Sequence, residues 1–320
     1  MSRHQQQIIR DCAKELTLTV SELLTIAKTA PKRYYVWEIN KRSGKGKRTV
    51  CHPARELKLV QYHFLNKILH DLPVHICATA YVSGSSIKKN AEIHCKSRVI
   101  MKLDFSNFFN SLKVSDWRLY AADYFPDWTE DEIDFSSRIL FWGSGTYTPK
   151  CLAIGSPTSP ALSNALMYDV DVKLADFANR NNVKYTRYAD DITFSSENFL
   201  NYNEIISEVK NALKASKYTN VTINNKKTIL ISNSSSRRVT GLIITPNGKI
   251  SLGRERKRLI SSMAHHYKLG KLPNEKRQEL SGLLAFALDA EPEFIESLRK
   301  KYTQDVIDRA LKSTVEGFVT

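Results

Sequence analysis

Apolar and polar positions change period several times along this 320-residue chain. Over residues 1–30, Ile8, Ile9, Cys12 and Leu16, then Leu23, Leu24 and Ala27, recur at helical spacing, and Pro31 closes the stretch. Residues 34–39 are aromatic and β-branched and read as a strand. Residues 41–48 form a basic, glycine-containing turn and 49–51 the returning strand, which makes a basic hairpin. Leu57, Val60, Phe64, Leu65, Ile68 and Leu69 share one face of a helix over 55–70. Residues 99–103 are a short apolar strand that stops at Asp104. Helices are predicted over 129–142, 159–179 and 203–216. Within 183–195, two β-branched and aromatic runs flank Ala189-Asp190-Asp191, a strand, tight turn and strand. Short strands occupy 229–252 around a Pro246-Asn247-Gly248 turn, and residues from Glu255 onward are mostly helical. Strands mixed unevenly with helices, without internal repeats, predict an α+β fold.

Composition narrows the class. Hydrophobic residues make up 42% of the chain, enough for a folded core. No run of about 18 apolar residues predicts a membrane span, so no membrane partner is expected. The first residues lack the apolar core of a signal peptide. Five scattered cysteines without a C-x-x-C pair argue against a zinc knuckle or disulfide framework and predict a cytoplasmic location. The net charge is +15, unevenly spread: +12 over residues 1–103, −6 over 104–200 and +9 over 201–320. An acidic centre between basic flanks suits metal ions in the middle and a polyanion gripped from both sides.

Adjacent carboxylates at a hairpin tip repel each other unless a cation sits between them. Mg²⁺ takes oxygen ligands and characteristically combines carboxylates with substrate phosphates. Asp190 and Asp191 therefore predict a phosphate-handling Mg²⁺ site, and Asp104, 86 residues earlier at a strand end, supplies a third carboxylate. Three such groups on two strands can bracket two metals about 3.5–4 Å apart, the arrangement of in-line phosphoryl transfer. The bland alternative for Asp104 is the N-cap of a following helix.

These motifs carry a resemblance. Tyr188-Ala189-Asp190-Asp191 resembles the signature of reverse transcriptases. Asp104 with Phe108-Phe109 resembles their first catalytic motif, and Ala153-Ile154-Gly155-Ser156-Pro157-Thr158-Ser159-Pro160 their Gly-x-Pro-x-Ser-Pro motif. Asn90-Ala91-Glu92-Ile93-His94 and Val239-Thr240-Gly241 match two elements of bacterial retron reverse transcriptases. The chain departs from the wider family at Ile154, where many members carry Gln.

The resemblance implies a right-hand polymerase of fingers, palm and thumb, with an antiparallel palm sheet backed by helices. Its parts would be 1–98 (N-terminal helices and fingers), 99–112 (first palm strand), 113–150 (second fingers segment), 151–253 (palm) and 254–320 (helical thumb). Asp104, Asp190 and Asp191 become the catalytic ligands of two Mg²⁺ ions, with Mn²⁺ as a substitute. Phe105 is counted beside Asp104 in the metal site, its ring expected in the core with Phe108. Phe109 becomes the gate that excludes a ribose 2′-hydroxyl. Arg48, with Lys45 and Lys47, would grip the incoming dNTP, Gly155 would let backbone approach nucleotide or template, and Lys226 or Lys227 would meet the leaving phosphates. Asn90, His94, Arg237, Arg238, Val239, Thr240, Gly241, Arg254, Arg256, Lys257 and Arg258 would belong to the RNA-binding region, with a structural role also open for Asn90 and His94.

The implied activity is RNA-directed synthesis of branched single-stranded DNA from a cognate non-coding RNA, primed at a guanosine 2′-hydroxyl. The family context is anti-phage defence beside a separate effector protein. The weaker readings are a group II intron or diversity-generating reverse transcriptase and a non-polymerising RNA-binding scaffold.

Overall fold

The computed structural model describes residues 6–41, 46–232 and 236–312. Nine strands are defined among them: β1 (Tyr34–Asn40), β2 (Lys47–Pro53), β3 (Val99–Asp104), β4 (Lys184–Tyr188), β5 (Asp191–Ser196), β6 (Ile229–Ile231), β7 (Arg237–Val239), β8 (Leu242–Ile244) and β9 (Ile250–Ser251). They form a β1-β2 ribbon, a four-stranded sheet ordered β4-β5-β3-β6, and a three-stranded sheet ordered β7-β8-β9. With its many helices, this is the α+β class expected. By internal contacts the chain divides into two units, residues 1–83, 102–192 and 201–229, and residues 84–101, 193–200 and 230–320.

In the first unit, the helices Val20–Thr29 and Glu130–Leu140 each begin with a capping box, Thr19 with Glu22 and Thr129 with Glu132. Their apolar faces enter a core that includes Leu23, Leu57, Phe64, Trp117 and Phe141, all fully buried. The basic hairpin is antiparallel, with Trp37 opposite Val50 and Ile39 opposite Arg48. The helix predicted over 159–179 is two helices, Ser159–Leu166 and Tyr168–Arg180, separated by a turn at Met167 (φ −92°, ψ −1°). Each half turns a polar residue inward, Asn164 and Asp171, and both are buried.

In the second unit, the helices Arg254–Lys268, Asn274–Ala290, Pro292–Tyr302 and Gln304–Lys312 close around Ile260, Leu280, Leu284, Ile295, Leu298 and Ile307. Tyr302 is buried there, and Tyr267, Phe286 and Phe294 pack on the same core. Among the described residues no helix is long and apolar enough to cross a membrane.

Candidate active site and nucleic-acid cleft

β3 ends at Asp104, which is buried. The next residue, Phe105, donates its N–H to the main-chain oxygen of Asp190 at 3.1 Å. The main-chain oxygen of Asp104 accepts from Asn224 N–H at 2.7 Å. Two motifs 86 residues apart in sequence are thereby joined backbone to backbone. The following helix, Phe108–Ser111, has Asn107 as its N-cap, so Asp104 is not a capping residue. Phe105 and Phe108 are buried and stacked 5.7 Å apart, whereas the half-buried Phe109 also meets Tyr81, 6.4 Å between ring centres.

The turn between β4 and β5 holds Ala189 at φ +57°, a left-handed conformation that costs an L-residue about 1–2 kcal/mol. Burial pushes the carboxyls of both Asp190 and Asp191 above their ordinary range, and the neighbouring Asp104 charge adds to it in each. Asp190 is raised further by Asp191, while Lys102 and Lys227 act against the rise at Asp191. Such mutual repulsion is what a hard divalent cation relieves, and the donors are all oxygens, so the set fits Mg²⁺ in its chemistry. Among the described residues no three His, Cys, Asp or Glu side chains are grouped closely enough to hold a metal ion. Asp104 is instead engaged by Lys227, whose Nζ donates to Oδ1 at 2.9 Å and Oδ2 at 2.8 Å. The short helical turn Asn225–Lys227 carries this lysine.

The Gly155 loop meets the hairpin. Cys51 N–H donates to the Ile154 oxygen at 2.7 Å. Gly155 sits at φ +110°, and a Cβ there would come within 3.0 Å of the Cys51 oxygen and 3.2 Å of Val50 Cγ1. The close approach that Gly155 permits is therefore to β2. Arg48 is exposed on β2, and Lys45 lies outside the described residues. Ser156 Oγ donates to Gln61 Oε1 at 3.1 Å, which seats the loop on the helix Arg55–Lys67.

Behind the carboxylates lies a charged network that the sequence reading missed. The Arg187 and Asp171 side chains have no exposed surface and form an ion pair 2.5 Å apart. Arg187 Nε donates to Asp171 Oδ1 at 2.8 Å, and Tyr185 Oη donates to the same oxygen at 2.7 Å. Removing one partner of such a pair typically costs about 3–5 kcal/mol. A charge on the apolar stripe Met167, Val170, Leu174, Ala178 was the available signal for Asp171. Tyr81 was missed as well; burial, then the charge of Asp190, raises its phenol above the usual range.

In the second unit, Thr240 (φ +46°) and Gly241 (φ +82°) join β7 to β8 as a two-residue turn with both φ positive. Thr240 Oγ1 donates to the Ile87 oxygen at 2.9 Å and receives Asn90 Nδ2 at 3.5 Å. His94 Nδ1 lies 2.7 Å from Ser195 Oγ. Asn90, His94 and Val239 are fully buried, so their side chains hold the unit together, which favours the structural of the two roles open to Asn90 and His94. Arg237 is also buried, with Nη2 donating to the Thr245 oxygen at 2.5 Å and Nη1 bonded to the Ser97 oxygen. Arg238, Gly241, Arg254 and Arg258 are exposed. Arg256 lies over the Phe286 ring at 5.0 Å, and Lys257 pairs with Glu291. Arg238, Arg254, Arg256 and Lys257 line a cleft of about 830 Å³.

Comparison with known proteins decides the family. The profile of the family "Reverse transcriptase (RNA-dependent DNA polymerase)" matches residues 39–244. Retron Ec83 reverse transcriptase of Escherichia coli is 36% identical, the match covering 91% of this chain and 94% of that one. Retron Ec73 reverse transcriptase of E. coli is 34% identical over 84% of this chain and 87% of that one. The chain belongs to the retron reverse transcriptases.

Retron Mx65 reverse transcriptase of Myxococcus xanthus is a further relative, 32% identical over 84% of this chain and 64% of that protein. Among solved structures, a telomerase from Candida albicans aligns at 13% identity and TM-score 0.48, covering 88% of this chain and 60% of that one. By its family and its retron relatives this reverse transcriptase is an RNA-directed DNA polymerase, and the family generally uses divalent metal ions. The Asp104 and Asp190-Asp191 motifs meet in one unit, whereas Asn90 and Thr240, of the two retron elements, meet in the other.

Proposed function

We propose that this enzyme copies a cognate structured non-coding RNA into branched single-stranded DNA, starting from a guanosine 2′-hydroxyl of that RNA. The observation that carries the chemistry is the Phe105-to-Asp190 backbone bond, which brings Asp104 beside the Asp190-Asp191 turn. Asp104, Asp190 and Asp191 would hold the metals through their carboxylates, with the adjoining Phe105 packed beneath. Two Mg²⁺ ions, or Mn²⁺ in their stead, would supply activation of the attacking hydroxyl and charge relief at the leaving pyrophosphate. The primer oxygen attacks the α-phosphorus as the bond to pyrophosphate breaks.

Lys227 is within reach of Asp104 and is the lysine we assign to the leaving phosphates; Lys226 has no such bond among those described. The half-exposed ring of Phe109 would clash with a 2′-hydroxyl on the incoming nucleotide. Arg48 would fork onto the triphosphate, with Lys45 beside it in sequence. Gly155 would act by seating β2, which carries Arg48. In the second unit, Arg238, Arg254, Arg256, Lys257 and Arg258 would track an RNA backbone by charge and shape. The Thr240-Gly241 turn would meet the RNA with them.

The fingers, palm and thumb would follow the segment boundaries expected from sequence. We infer cytoplasmic action in anti-phage defence, with a separate effector chain restrained by the enzyme and its nucleic acid.

The test is co-expression with the flanking non-coding DNA, followed by isolation of bound nucleic acid. Short single-stranded DNA joined to RNA through a bond cut by a debranching enzyme is the expected product. Extension of ordinary annealed primers without any branched product would overturn the priming assignment.

A further inference from the structure

We propose that Arg187 is a positioning residue that fixes the Asp190-Asp191 turn by binding the Ala189 carbonyl while anchored to Asp171 and Asn164. The inference rests on the assignment of Asp190 and Asp191 as metal-binding carboxylates. It concerns how they are held.

The Arg187 guanidinium is wholly buried and almost every donor is engaged. Nε and Nη2 face Asp171, at 2.8 Å to Oδ1 and 2.5 Å to Oδ2. Nη1 donates to Asn164 Oδ1 at 3.2 Å and to the Ala189 oxygen at 3.3 Å. One planar group thus ties both halves of the broken helix, through Asn164 and Asp171, to the residue immediately before the catalytic pair. That residue, Ala189, is the one at φ +57°. Strained backbone of this kind persists only where its surroundings over-determine it.

The anchor is itself immobilised. Arg187 N–H donates to the Cys77 oxygen at 2.8 Å, and its own oxygen accepts Thr79 N–H at 2.8 Å. Asn164 Nδ2 donates to the Ala80 oxygen at 2.9 Å. The segment 77–80 therefore clamps β4 and Asn164 together. It leads directly to Tyr81, which contacts Phe109. Arg187 does not reach substrate, so it acts only through the placement of the turn.

A lysine would keep the charge and the pair with Asp171. It has a single ammonium point and cannot also span to Asn164 and Ala189. Arg187→Lys is therefore the informative change. Asn164→Ala is the second variant, which keeps the ion pair intact. Both are compared with the unaltered chain and with the Asp190→Asn, Asp191→Asn double variant. The readouts are primer extension on an annealed RNA template, thermal melting, and Mn²⁺ binding followed by electron paramagnetic resonance.

A displacement of the turn by about 1 Å should lower kcat about 100-fold in Arg187→Lys and about 10-fold in Asn164→Ala, with KM for dNTP within about two-fold. Mn²⁺ binding should weaken in both variants although neither change touches a proposed ligand. The double change Arg187→Lys with Asn164→Ala should cost less than the product of the two, because both act through one carbonyl.

Unchanged kcat and Mn²⁺ affinity in a folded Asn164→Ala variant would overturn the proposal. So would a loss of kcat that merely follows the unfolded fraction at the assay temperature. If Arg187→Lys fails to fold, Asn164→Ala decides alone. DNA synthesis by the double carboxylate variant would instead sink the metal assignment, a separate result.

Discussion

Lys227 Nζ lies 2.8 Å and 2.9 Å from the two carboxylate oxygens of Asp104. The ammonium is itself half-exposed, so it is free to exchange that carboxylate for a phosphate. Lys227→Ala should lower the rate of single-nucleotide incorporation about 10–100-fold, as loss of a positioned proton donor does. Lys226→Ala should stay within about two-fold. Pre-steady-state incorporation measured on both variants checks the assignment, and equal losses would refute it.

Gly155→Ala should damage the hairpin rather than the chemistry. The added Cβ meets the Cys51 oxygen at 3.0 Å, with the backbone already at φ +110°. Strain of this kind costs about 1–3 kcal/mol. Urea unfolding should show that loss. KM for dNTP should rise with it, because β2 carries Arg48.

Basic residues around the large cleft should separate into two behaviours. Arg254→Ala and Arg238→Ala remove exposed charges and should each reduce the slope of log K against log salt for RNA binding by about 0.7–0.9. Arg237→Ala removes a buried guanidinium that satisfies two backbone oxygens. It should lower the melting temperature and leave the salt slope of the folded fraction unchanged. Binding titrations at several salt concentrations, alongside melts, distinguish the two.

Phe109→Ala opens the wall that Phe109 shares with Tyr81. Incorporation of ribonucleotides relative to deoxynucleotides should rise by about 10-fold or more, on the scale of a removed steric block. Competition between rNTP and dNTP in one extension reaction reads the ratio directly. An unchanged ratio would remove Phe109 from the gate.

The buried thiol of Cys12 couples stability to alkaline pH. Burial, with the Glu15 charge second, pushes its pKa from 9.0 up to about 12. The folded state therefore keeps the proton after the unfolded chain has lost it. Stability from this group is fully present below pH 9 and falls as pH rises toward the folded value, by up to about 1.4 kcal/mol per unit. Urea midpoints at pH 8 and pH 10.5 should differ less for Cys12→Ala than for the unaltered chain. In the native chain Cys12 should also resist alkylation at pH 8.

Much of the site was legible because its signals are local. The strand, turn and strand around Asp190, the apolar strand ending at Asp104, and the basic hairpin all follow from short-range periodicity and turn chemistry. The helix over 159–179 was also legible, yet its break at Met167 was not. No proline or glycine marks that break, and inward packing of Asn164 and Asp171 accompanies it. Lys226 and Lys227 are indistinguishable in composition and adjacent in sequence; only the helical turn Asn225–Lys227 aims one of them at Asp104.

The sequence by itself determined the fold class and the retron family, because each depends on residue type and order within short segments. Tertiary structure decided which charges are buried. Along the chain Arg187 and Asp171 carry no assignment, and Arg237, Asn90 and His94 fall in the expected RNA-binding region, yet all five are buried. Whether a side chain meets water or protein depends on residues distant in sequence. The desolvation that turns a charge into an anchor arises only when those residues close around it.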